Sequence, residues 1–142
     1  MNETEKLLRE CNAGIKMGVD SINHVMPYIK DEKLKKVLNA CKDKHAELGN
    51  ETHIALKKAN MDTKNPHPVA KVMADMTTRM KITMHRTDNE IASVMTDGCN
   101  MGIKSLYKYL NQYKHASEHS KDITNRLISI EQELRTDMRS FL

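Results

Sequence analysis

Apolar and small residues recur every third or fourth position along most of the chain, the period of an amphipathic helix rather than a strand. Over residues 3–29 they fall at Leu8, Cys11, Ile15, Gly18, Ile22, Val25 and Ile29. This unbroken 3-4 alternation is the seam of a helix packed at a shallow angle on a neighbour. Asn2 and Glu5 have capping-box spacing in front of it, and Pro27 is expected to loosen its last turn. A second helix is predicted from Asp31-Glu32, acidic residues suited to the positive end of a helix dipole. Its seam reads Leu34, Leu38, Cys41, His45, Leu48, Thr52, Ala55 and Ala59.

The clearest break lies over residues 60–68, with Asn65-Pro66-His67-Pro68. A third helix is predicted over about 68–85, with Val69, Met73, Met76, Met80 and Met84 on one stripe. A fourth starts at the capping box Thr87-Asp88-Asn89-Glu90 and runs to about 114. Its seam is Ala92, Met95, Cys99, Gly102, Leu106, Leu110 and Tyr113. A fifth follows a cap at Ser117, with Ile123, Leu127, Ile130, Leu134, Met138 and Phe141 inward.

The chain repeats itself. Glu10-Cys11-Asn12-Ala13-Gly14-Ile15-Lys16 returns 88 positions later as Gly98-Cys99-Asn100-Met101-Gly102-Ile103-Lys104, with five of seven residues identical. The seam Leu34, Leu38, Cys41, His45 returns at offset 89 as Ile123, Leu127, Ile130, Leu134. Helices one and two therefore pair with helices four and five as two copies of an αα-hairpin, joined by a long connection.

Composition agrees with this picture. The 142 residues suit one domain, and with four Tyr, one Phe, no Trp, five Gly and three Pro the chain is too poor in turn and aromatic residues for a many-stranded fold. The net charge of +4 is spread evenly: residues 1–60 hold 11 basic and 9 acidic side chains, residues 61–142 hold 12 and 10. Nucleic-acid binders concentrate positive charge and add stacking aromatics, so nucleic acid is not expected as a partner. The one tight basic group, Lys30, Lys33, Lys35 and Lys36, reads as a solvated helix end. Met1-Asn2-Glu3-Thr4-Glu5-Lys6 lacks the basic-then-apolar order of a secretory leader, and no run reaches membrane-spanning length. Cys11, Cys41 and Cys99 are odd in number and have no C-x-x-C spacing. The expected compartment is cytoplasmic, without disulfides or structural zinc.

Two hairpins, a helical stretch in the crossover and Tyr107-x-Tyr109-x-x-x-Tyr113 near the end of the fourth helix resemble a family within the ferritin-like superfamily. That family comprises short, uncharacterised bacterial four-helix-bundle proteins with a helix in the crossover. The resemblance spans the chain and implies an all-α, ferritin-like four-helix bundle in a single domain. Its first hairpin would cover 2–60, the crossover 61–86 and the second hairpin 87–142.

Ferritin-like metal enzymes hold a di-metal centre with a Glu from each of two helices and a Glu-x-x-His from each of the other two. No Glu-x-x-His occurs in this sequence, so the resemblance brings no ligand set with it. If a metal site with altered ligands existed, its candidates would be Asp20, His24, His45, Glu47 and Glu51. Neither a catalytic residue nor a cofactor is predicted. Only His45 breaks the apolar seams of the second and fifth helices, so the expected core is dry, Leu/Ile/Met-filled, around one hydrogen-bonded histidine. Gly14, Gly18, Gly98 and Gly102 each cost about 1 kcal/mol against Ala inside a helix. Their matched places are expected to mark a close approach of the first and fourth helix backbones. His85 with Glu90, and His115 with His119, are expected at the surface. The function expected from these features is a non-catalytic bundle acting through self-association or a protein partner, with the third-helix methionines partly facing that partner. The alternative is a ferritin-like metal-binding or redox protein.

Overall fold

The computed structural model describes residues 2–58 and 87–142, all helical apart from caps and turns. The elements are α1 (Glu3–Val25), a 3-10 turn (Met26–Tyr28), α2 (Glu32–Lys58), α3 (Asp88–Gln112), α4 (Glu118–Met138) and a final 3-10 turn (Arg139–Phe141). The predicted crossover helix with its Met stripe, the break before it, Ala59 and His85 lie outside the described residues.

Local sequence sets the helix ends. Asn2 Oδ1 accepts from the Glu5 amide at 2.8 Å, Thr87 Oγ1 from Glu90 at 3.4 Å, and Ser117 Oγ from Ser120 at 3.1 Å. Each satisfies an orphan donor of a first turn. Pro27 ends α1 sooner than the seam alone suggests: the regular helix stops at Val25 and the chain tightens into the 3-10 turn.

The turns show which way each helix runs. The carboxylate of Asp88, the first residue of α3, accepts from the Lys30 and Asp31 amides at 2.9 Å each. Glu3 and Thr4, at the start of α1, accept from the His115 and Ser117 amides at 2.8 Å each. The first turn of each hairpin thus ties down the connection of the other. α3 starts where α1 ends, so α2 and α3 run parallel, and the end of α2 and the start of α3 lie at opposite ends of the bundle. This arrangement requires one long connection.

α1 packs most extensively on α2, and α3 on α4; α2–α4 and α1–α4 are intermediate, α1–α3 is thinner, and α2 and α3 barely meet. The cross-section is a rhombus pinched across α1 and α4 and opened along the α1–α3 edge. The seams bury as periodicity demands, with Ile22, Leu34, Leu38 and Ile123 fully inaccessible, each contributing about 1.5–3 kcal/mol of transfer free energy. Two clusters result. One holds Ile22, Val25, Leu34, Leu38, Ile91 and Met138 near the α1–α2 turn; the other holds Leu8, Ile15, Leu48, Leu56, Ile123 and Leu127 towards the opposite end. In α2 the inward position near the end is Leu56, buried, rather than the half-buried Ala55.

The core is less dry than the seams suggest. Thr52, Ser120 and Thr124 are fully buried, and Glu10, Asn12 and Ser21 nearly so. The first three hydroxyls donate to carbonyls of their own helices, at Leu48, Ser117 and Ser120, at 2.7–2.8 Å. That local bond lets Ser and Thr sit on an apolar seam without an orphaned donor.

Candidate binding site between α1 and α3

Between the two apolar clusters, at mid-height, the imidazole of His45 is buried completely. Its Nδ1 lies 2.8 Å from the carbonyl oxygen of Cys41, one turn earlier on α2, so Nδ1 carries a hydrogen and donates it. This bond aims Nε2 away from α2, where Oε1 of Glu131 on α4 meets it at 2.8 Å. Side-chain exposures of 1% and 13% mark the pair as largely withdrawn from water. Burial lowers the imidazole pKa, but the contact with the Cys41 thiol, the Glu131 hydrogen bond and the Glu131 charge outweigh it and raise it to about 10. His45 is therefore the imidazolium half of a buried ion pair at neutral pH.

Room for the ring comes from Gly18. A Cβ there would stand 2.6 Å from Nε2 and 2.8 Å from Cδ2, so any side chain at position 18 would displace the imidazole. The other glycines act differently. A Cβ on Gly14 would meet Leu127 at 3.6 Å, and one on Gly102 would meet Glu131 at 3.7 Å, both ordinary contacts with side chains. The close backbone approach expected of these glycines is not what forms. They thin the helix walls, and Gly14, Gly18, Gly98 and Gly102 all line a cavity of about 80 Å³ that opens along the α1–α3 edge.

The walls of this cavity are mostly apolar, with Met17, Met95 and Met101 prominent, and His45, Glu131 and Cys99 share one side. At Cys99, burial comes first in raising the thiol pKa, with Glu131 adding to it by charge and hydrogen bond. Glu10 lines the wall nearer the α1 start, only 5% exposed, with Oε2 in no hydrogen bond. Burial pushes its carboxyl pKa up, and a hydrogen bond with Tyr109 partly offsets this. Tyr109 is in turn raised to about 12, by burial and by Glu10.

Little here suits nucleophilic catalysis. Cys41 Sγ lies 3.4 Å from His45 Nδ1, yet that nitrogen carries the hydrogen donated to the Cys41 carbonyl and so cannot accept the thiol proton. Cys11 bonds to Thr124 at 3.1 Å, and burial raises its pKa to about 12. A reactive thiol needs exposure and a lowered pKa.

The five candidate metal ligands do not converge. His45 faces the bundle centre, Asp20 and Glu47 are exposed, and His24 is half-buried. Glu51 is held at the surface by both guanidinium nitrogens of Arg126, at 2.6 and 2.8 Å. Among the described residues, the one group of three carboxylate, imidazole or thiol ligand atoms within 4.8 Å is Glu51, His119 and Asp122, and Arg126 already pairs with both of its carboxylates. Of the basic group, Lys30, Lys33 and Lys36 are exposed and Lys35 pairs with Glu32 at 3.2 Å.

Glu131 and Glu10 escaped the sequence reading because each sits beside its seam rather than on it. Signals existed. Glu131 lies four residues after Leu127, on the same stripe, and Glu10 stands where the repeat has Gly98. No protein-family model, curated protein or solved structure matches this chain.

Proposed function

We propose that the protein is a non-catalytic helical bundle of ferritin-like layout that works by binding, taking a small, mainly apolar ligand into the cavity along the α1–α3 edge. The observation that carries this reading is the cavity itself: four helix-interior glycines, costly to a helix, stand on its walls among methionines able to adapt to a guest. The ferritin-like layout is supported by the parallel α2 and α3 and by the long connection between opposite ends of the bundle. A di-metal centre would need several carboxylates and imidazoles at the bundle centre, whereas His45 and Glu131 there satisfy each other.

Self-association or a protein partner has less support. The large exposed apolar side chains among the described residues, Ile54, Tyr107 and Leu142, lie on three separate stretches of the chain.

The test is a titration with toluene of protein carrying ¹³C-methyl methionine. Saturable shifts of the Met17, Met95 and Met101 signals, with Met138 unmoved, are expected. Gly102→Leu, which projects a side chain into the cavity without a backbone clash, should fold and abolish them. Toluene that shifts nothing, or that binds Gly102→Leu equally well, overturns the reading.

A further inference from the structure

The cavity's polar atoms are not equivalent. His45 and Glu131 each have a partner, as does the Cys99 thiol through Glu131. Glu10 does not balance in this way. One of its oxygens, Oε2, is buried on the cavity wall without a hydrogen bond among the described residues. Tyr109, which bonds the carboxyl, and the neighbouring Tyr113 and Cys11 are themselves acids, neutral at pH 7. None supplies the positive charge that a buried carboxylate needs.

A donor that a folded chain leaves out is one that a ligand can bring. The repeat sharpens this point: Glu10 aligns with Gly98, so the second copy lacks the carboxylate. An orphaned acceptor at one end of an apolar, methionine-lined space selects a molecule with a charged N–H donor at one end and hydrocarbon at the other.

Resting on the reading of the cavity as a binding site, we propose that its ligand class is the small alkylammonium ions. The ammonium donates to Glu10 Oε2 and the alkyl chain runs past Gly14 towards Met17. A charge-assisted bond is about twice as strong as a neutral one, which sets the expected discrimination against an uncharged donor of the same shape at about tenfold, or about 1.4 kcal/mol.

The experiment titrates the full chain, labelled at the methionine methyls, with n-butylammonium chloride and separately with n-butanol at pH 7. Butylammonium is expected to saturate the Met17 and Met101 shifts at a concentration about tenfold below butanol. Glu10→Gln should erase that preference, while toluene titrated into the unmodified chain reads the cavity by itself. Tyr109→Phe, which removes a competing donor from the carboxyl, should tighten butylammonium binding. Butanol binding as well as butylammonium, or Glu10→Gln retaining the preference, overturns the ammonium assignment and leaves the cavity reading standing. A cavity that also ignores toluene overturns both.

Discussion

Removing one member of the His45–Glu131 pair is the sharpest perturbation available. Glu131→Leu would leave an imidazolium beneath Gly18 with its Nε2 hydrogen unaccepted, and His45→Met would leave a carboxylate that is 13% exposed. Stranding one partner of a buried pair costs about 3–5 kcal/mol. At roughly 2–4 °C per kcal/mol for a chain of this size, each single variant should melt about 6–20 °C below the parent. The double variant removes the stranded charge; Met is unbranched and fits the flat space beside Gly18, so it should regain most of that loss. The pH dependence has a definite sign. Because the folded imidazole pKa is raised to about 10 from 6.5, its stabilisation is complete below about pH 6.5 and lost as pH rises through about 10. Thermal and urea melts of the four proteins across pH 6–10 measure both effects. Additive single-variant losses, or a double variant whose stability falls as steeply between pH 6.5 and 10 as the parent's, would refute the buried ion pair.

Gly18→Ala should destabilise, since its Cβ falls 2.6 Å from a ring fixed at both nitrogens, whereas Gly14→Ala should stabilise by about 0.5–1 kcal/mol; urea melts of the two compare them directly. Glu10 retains its proton in the folded chain above the ordinary value of 4.5, so its contribution to stability declines as pH rises past that value. Glu10→Gln should therefore be more stable than the parent at pH 7, with the gap closing towards pH 4, as read by chemical denaturation. Cys11, Cys41 and Cys99 are all buried and should resist a thiol-reactive disulfide at pH 8 until the chain is unfolded, when all three titrate. Incubation with ferrous iron, manganese or zinc under reducing conditions, followed by desalting and elemental analysis, should retain no stoichiometric metal. Retention lost in His45→Met would instead make a metal centre the leading reading.

The spacing of apolar residues determined most of the architecture, because helix periodicity is a local property: it fixed the described helices to within a few residues and their inward faces from Leu8 to Met138. Capping chemistry is equally local, and Asn2, Thr87 and Ser117 act as their side chains dictate. His45 was legible as the one residue breaking the apolar seams of the second and fifth helices. Its partner was not, because Glu131 lies 86 residues away and only the α2–α4 packing brings Nε2 and Oε1 together. The glycines were legible as a pattern but not as a function. Whether a missing side chain admits a backbone, an imidazole or a void depends on what the opposite helix places there. At Gly18 that is His45, and at Gly14 and Gly102 it is the edge of an open cavity. The unsatisfied oxygen of Glu10 is likewise a tertiary fact, since hydrogen bonding in a core is decided by neighbours distant in sequence.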